Sequence, residues 1–175
     1  MNRRYLAIVV MIVALVGAMV MMRGRKEFRG CAGVVWTTEY HITYESDRLL
    51  DDSVQAVLTR IDRSASKYNP ESVISRINAN SDSIADDIVQ RLYTKSREVW
   101  KASEGAFDPT VSPLANVWGY GLKTGVNPDS VAIDSICEFV GLQKTNLVGA
   151  VVRKYDGRTT FDFNSIAKGL ACDEV

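Results

Sequence analysis

The stretch FDFNSIAKG, residues 161–169, gathers a carboxylate, an amide, a hydroxyl and an ammonium around one junction of extended chain and helix. Asn164 or Ser165 is placed to cap that helix, whose free N–H groups and positive dipole end favour an anion. Lys168 adds a full positive charge one turn on, and Asp162 stands at the end of the preceding strand-like run. Phosphate binding is the chemistry this arrangement suits, although helix capping with a surface lysine accounts for the same residues. Two earlier loops carry further candidates. In SKYNPES, Tyr68 stands at a proline turn, either closing the loop as a half-buried ring or offering a platform on which a flat ligand could stack. In EGAFDPTVSPLANVWGYG, Gly105, Pro109, Pro113, Gly119 and Gly121 punctuate the chain around Phe107, Asp108 and Thr110. Proline and glycine at this density predict an irregular backbone, the stuff of a ligand pocket or of an ordinary connector.

The common phosphate devices are absent. Gly119 and Gly121 begin a G-x-G, but Thr124 stands where G-x-G-x-x-G needs its third glycine and Gly125 comes one residue late; no GxxxxGK[ST] occurs. Cys31, Cys137 and Cys172 form no CxxC, and His41 is the only histidine, which excludes a zinc site built from His and Cys. Cys137 and Cys172 are expected as small buried hydrophobes.

The elements that must position these loops follow from periodicity. Residues 34–44 alternate as a strand, with Val34, Trp36, Thr38, Tyr40, Ile42 and Tyr44 on one face and His41 on the more polar one. The spacing of Val54, Val57, Leu58 and Ile61 predicts a helix over 51–66, and Ser72 is placed to cap a short helix carrying Ile74 and Ile77. A second long helix is predicted over 86–103 with Gly105 as its stop, and another over 130–140 ended by Gly141. LVGAVVRKYDGRTTFDF predicts a hairpin turning on Asp156-Gly157, which makes residues 159–163 a strand. Strand, helices, hairpin and helix in this order argue for an α+β fold.

The formal charge of zero hides an asymmetry: residues 1–29 hold six Lys/Arg and one acid, leaving fifteen basic and twenty acidic residues in the remainder. A mildly acidic body argues against nucleic acid as a partner, since phosphate backbones are held by clustered Lys and Arg. Residues 5–22 run without a charge between Arg3-Arg4 and Arg23, Arg25, Lys26 and Arg29. That pattern predicts a membrane anchor or a cleaved signal over 1–29, and a location on the extracytoplasmic side or beyond. Residues 30–175 then form one globular domain.

Taken together, WTTEYHITY, SKYNPESVISRIN, GAFDPTVSPLANVWGYG and FDFNSIAKGLACD resemble the amino-terminal half of the FAD:protein FMN transferases, the ApbE-like family formerly described as thiamine-biosynthesis lipoproteins. The resemblance implies a partial flavin-transferase domain of helices packed on antiparallel strands. It also implies transfer of FMN from FAD, with magnesium, to a Thr or Ser hydroxyl of exported subunits of membrane redox complexes. By position it sets Tyr68, Ala106, Phe107, Asp108, Asp162 and Lys168 against FAD, and makes Ser165 lend an oxygen, through its backbone carbonyl, to the magnesium ion. Trp36-Thr37-Thr38 departs from the family's methionine-glycine-threonine at the flavin. The family continues beyond the lysine-glycine helix with an aspartate and a threonine that complete the metal site. The expectation is therefore a shortened chain that does not transfer FMN alone; the alternatives are a membrane-tethered flavin binder and an inactive product.

Overall fold

The computed structural model describes residues 3–22, 27–120 and 130–175. Arg23, Arg25 and Lys26 of the expected basic flank, and the glycines Gly121 and Gly125 with Thr124, lie outside them. The chain packs as two units, residues 1–54 and 55–175.

In the first unit, helix α1 covers Arg3–Met22. Among the described residues no helix is long and apolar enough to cross a membrane. The expected anchor therefore has no support from the fold. Strands β1 (Glu27–Val35) and β2 (Thr38–Ser46) pair as an antiparallel hairpin with Cys31 opposite Ile42. The expected single strand over 34–44 is thus two, folded at Trp36-Thr37, both at positive φ (49° and 60°). The two-residue turn shifts the phase of alternation by one, since directly paired residues share a face: the covered positions are odd in β1 and even in β2. The turn also lacks the Asn-Gly or Asp-Gly that usually announces it. Tyr40, Ile42 and Tyr44 do share the more covered face, whereas Val34 is exposed and Val35 is covered. His41 stays on the open face, near Glu39.

The second unit holds the remaining elements. Helix α2 (Asp51–Ala65), whose first four residues belong to the first unit, carries Leu58 and Ile61 inward. Ser72 accepts from Ser75 N and caps α3 (Val73–Asn78), and Asp86 accepts from Val89 N and caps α4 (Asp87–Ala102). Both caps satisfy N–H groups that the first helical turn leaves without partners. Gly105, at φ 86°, turns the chain after α4. The loop beyond it is less irregular than expected, because α5 (Ser112–Val117) forms within it. Pro113 suits a first turn, where its missing N–H costs nothing. Helix α6 covers Ser130–Cys137. Cys137 and Cys172 are exposed, against expectation, and Cys31 is the buried one. Apolar spacing was satisfied on the covered side by Ile133 and Ile136 in α6, and by Ala167 and Ala171 in the last helix.

Strands β3 (Thr145–Val148) and β4 (Val151–Lys154) form a hairpin that turns at Gly149-Ala150, not at Asp156-Gly157. Gly149 takes the positive φ of 58° there. Asp156 instead makes a local turn, accepting from Arg158 N, and its pKa falls to about 2 because the Arg158 guanidinium bonds it as well. The free edge of β4 is covered in part by residues 83–85: Val152 N donates to Ser83 O at 2.8 Å and Ala85 N to Ala150 O at 2.8 Å. Such cover blunts an edge that would otherwise recruit other strands.

Residues 159–163 form no strand. Phe161 and Phe163 are each 1% exposed and stack at 5.8 Å, with Tyr93 edge-on to Phe161 at 5.9 Å. In place of a neighbouring strand, the Asn78 side chain serves the backbone: Phe161 N donates to Asn78 Oδ1 at 2.7 Å and Asn78 Nδ2 donates to Phe161 O at 2.9 Å. Lys154 steadies that end of α3 by donating to Ile77 O at 2.9 Å and Asn78 O at 3.3 Å, and burial pushes its pKa down. The segment leads into α7 (Asn164–Glu174), which packs along α4. Glu174 ties the far end of α7 to Arg91 and, at 2.9 Å, to Arg60.

Asn78→Ala removes both backbone partners of Phe161 and is expected to cost about 1–3 kcal/mol, read from urea unfolding midpoints at constant slope. The Arg91 hydrogen bond, with Arg60 adding its charge, holds the Glu174 carboxyl below its ordinary value. A depressed acid stabilises the fold above its unfolded pKa and loses that contribution as the pH falls through the folded one. Midpoints measured downward from pH 5 should therefore drop more steeply for the parent than for Glu174→Gln.

Candidate functional site

Alternation through the buried pair Phe161 and Phe163 turns Asp162 to the opposite side, where its carboxylate is 19% exposed. Three loops meet at this residue. Its Oδ2 accepts from Lys67 Nζ, the residue before Tyr68. Its backbone N donates to Pro109 O at 2.7 Å, joining the loop that carries Ala106, Phe107 and Asp108. Its Oδ1 accepts from Asn164 N at 3.0 Å at the start of α7. Neither Asn164 nor Ser165 caps α7, contrary to expectation; Phe163 holds the cap position without a side-chain bond, and the Asp162 carboxylate does that work from two residues upstream. An aspartate buttressed by an extended backbone reaches the first free N–H more directly than a side chain already inside the helix.

Tyr68 is 62% exposed, with Lys67 Nζ 5.3 Å from its ring centroid. An open aromatic face beside a cation suits stacking of a planar ligand. Hydrogen bonds fasten the turn around it: Ser72 Oγ donates to Ser66 O at 2.7 Å, and Asn69 Oδ1 accepts from Glu71 N at 3.1 Å.

Asp108 plays a different part. Its Oδ1 accepts from Thr110 N at 2.8 Å and Thr110 Oγ1 at 2.6 Å, and its Oδ2 accepts from Leu142 N at 2.9 Å. Thr110 Oγ1 in turn accepts from Gly141 N at 2.7 Å. Gly141, at φ 136°, adopts a backbone that side chains resist. This network clamps the Phe107–Thr110 turn to residues 141–142, so the Asp108 carboxylate shapes the loop. Phe107 is half-buried and its N donates to Ser103 Oγ at 3.0 Å, while Ala106 is exposed. A cleft lined by Trp100, Gly105, Ala106, Asp108, Val140 and Gly141 takes in two of the expected residues but none of Tyr68, Asp162 and Lys168. Ser165 and Lys168 are exposed on the first turns of α7.

Lys67, Asn78 and Pro109 are the members that sequence reading missed. An isolated lysine, an asparagine ending a helix and a turn proline carry no pattern of their own; only the pairing across the chain gives them a role.

Residues 36–175 match the ApbE family. The chain belongs to that family. It is 29% identical over 162 residues to the FAD:protein FMN transferase of Haemophilus influenzae, covering 82% of this chain and 46% of the relative. The corresponding transferase of Klebsiella pneumoniae is 30% identical over 132 residues, covering 70% of this chain and 37% of the relative. The fold superposes on apo flavinyl transferase ApbE of Pseudomonas stutzeri with TM-score 0.78 and 28% identity, covering 86% of this chain and 54% of that one. The flavin transferase ApbE of Vibrio cholerae, at 23% identity and TM-score 0.77, has the same fold. The chain spans about half the length of the relatives it matches. The α+β expectation holds as a mixed fold of helices and antiparallel strands shared with these structures.

Magnesium, which the resemblance implied, needs oxygen ligands. Among the described residues no three His, Cys, Asp or Glu side chains gather as a metal-binding group. Ser165, the one ligand expected, stands exposed on the first turn of α7. That does not fit a magnesium centre by itself, since the ion takes about six oxygens in near-octahedral order.

Asp108→Ala strands the Leu142 N–H and both Thr110 donors, and a loss of about 3 kcal/mol is expected in denaturant unfolding. Asp108→Asn keeps an acceptor for Thr110 but not one for Leu142, so its loss should be intermediate.

Proposed function

We propose that this protein acts in FAD:protein FMN transfer, and that the described region holds the flavin nucleotide. The observation that carries the reading is the meeting of three loops at Asp162, each bearing residues the family sets against FAD: Tyr68, Ala106-Phe107-Asp108, and Asp162 with Lys168. In this reading Tyr68 stacks on a flat ring of the dinucleotide, the 106–108 turn lines it with backbone, and the α7 N-terminus with Lys168 addresses the diphosphate. Membership of the ApbE family and the names of its relatives support the same substrate.

The transfer joins an acceptor hydroxyl oxygen to the FMN phosphorus while the bond from that phosphorus to the bridging oxygen breaks. AMP leaves, and the hydroxyl proton passes to solvent or a base. The acceptor is proposed to be a Thr or Ser of an exported subunit of a membrane redox complex. Magnesium is proposed as the ion accompanying the diphosphate, on the family's precedent. Placement of the protein on the extracytoplasmic side, tethered through its N-terminal segment, rests on the uncharged run of residues 5–22 between basic flanks.

The test titrates FAD and riboflavin into the purified protein by flavin fluorescence, with magnesium and with EDTA, and then adds a Thr-bearing acceptor. FAD should bind more tightly than riboflavin. Lys168→Ala should weaken FAD by about tenfold and riboflavin far less, as expected for a lysine addressing phosphate. Gain of the FMN mass on the acceptor establishes transfer; binding without transfer assigns a flavin-holding role only; no FAD binding removes the proposal.

A further inference from the structure

We propose that Lys67 is a positioning residue that locks the Asp162 carboxylate to the Tyr68 loop and cancels its charge beside the start of α7. This deepens the flavin-nucleotide reading and rests on it for the ligand, though not for the geometry.

Lys67 follows α2 in a loop, yet its side chain is only 10% exposed. Among the described residues its single hydrogen bond runs to Asp162, 95 positions along the chain. The same ammonium lies 5.3 Å from the centroid of the Tyr68 ring. One cation thus touches the carboxylate from one loop and the aromatic ring from another. Stability alone gives little reason for such a pair, because taking two charges out of water costs about as much as their attraction returns. Geometry does give a reason. With Oδ2 held by Lys67, Oδ1 is left to receive Asn164 N at 3.0 Å, and the carboxylate plane is set.

Charge adds a second consequence. A carboxylate at a helix N-terminus satisfies the dipole but competes with, and repels, an incoming anion. Paired with Lys67, Asp162 contributes no net charge there, so the positive helix end and Lys168 keep their attraction for a diphosphate. Without Lys67 the aspartate becomes an obstacle to the ligand it serves. A purely structural lysine would show no such reversal.

The experiment uses the whole chain with Lys67→Met, Lys67→Arg, Asp162→Asn and the double variant Lys67→Met/Asp162→Asn. Two readouts are taken: exchange of the Asn164 amide proton by NMR, which needs no ligand, and affinity for FAD against riboflavin. Lys67→Met should speed Asn164 exchange and weaken FAD by about tenfold, a coupling of the size found between contacting groups. Riboflavin, lacking phosphate, should lose little, and Lys67→Arg should keep most of the FAD affinity. The double variant should bind FAD more tightly than Lys67→Met, because the unpaired charge is gone. FAD losses that multiply in the double variant, or equal losses for riboflavin, overturn the charge role. Unchanged Asn164 exchange in Lys67→Met overturns the positioning role. If the parent binds no FAD, the proposed function fails while the Asn164 readout still decides whether Lys67 positions Asp162.

Discussion

Everything at this site depends on how residues 161–163 are held without a sheet. Phe161 and Phe163 are anchored in the core, and each such burial is worth about 1.5–3 kcal/mol. Their backbone still needs partners, because an unpaired buried N–H or C=O costs more than a typical hydrogen bond gains. Asn78 supplies both, as a side-chain amide standing in for one residue of a neighbouring strand. Extended geometry then sends Asp162 outward between the two rings. The placement of the acid is a by-product of the burial of its neighbours.

From that anchor the rest follows as a series of short, polar couplings. Asp162 reaches back to Lys67, sideways to Pro109 and forward to Asn164. Asp108 and Thr110 fasten the second loop to Gly141 and Leu142. Each loop is stiffened by its own proline turn or cap, so the couplings join bodies that are already ordered. Chemistry on loops requires this kind of support, because a loop left to itself spends binding energy on becoming ordered. The two hairpins, each of two strands, would not stand alone in water. In the second unit, β4 borrows cover from residues 83–85, and α7 lies against α4.

Much of this was legible from the sequence. Helices α2 and α3 follow from the spacing of Leu58 and Ile61 and of Ile74 and Ile77, and α4 falls within the expected 86–103 ahead of its stop at Gly105. Ser72 caps where a short polar side chain before an apolar run should. The turn at Trp36-Thr37 was hidden because neither residue is a turn former, so nothing local marks where the phase of alternation shifts. The hairpin at Gly149-Ala150 lost to Asp156-Gly157 because local turn chemistry cannot see that residues 83–85 would claim the far edge of β4. Cys137 and Cys172 were misplaced for a related reason: residue type suggests burial, but helix phase decides it.

The sequence by itself determined the local order of the chain: which segments coil, where prolines and glycines bend them, and which residue types carry charge and aromatic surface. It also carried the family pattern, because motifs survive as contiguous residues. Only the tertiary structure decided who meets whom. Lys67 and Asp162 are an ordinary surface lysine and a strand-end aspartate until folding brings them together across 95 positions. Asp108 is one acid in a proline-punctuated loop until folding ties it to Leu142, more than thirty residues on. The physical reason is that hydrogen bonds and ion pairs act over a few ångströms, whereas sequence patterns report only the faces that neighbours along the chain present.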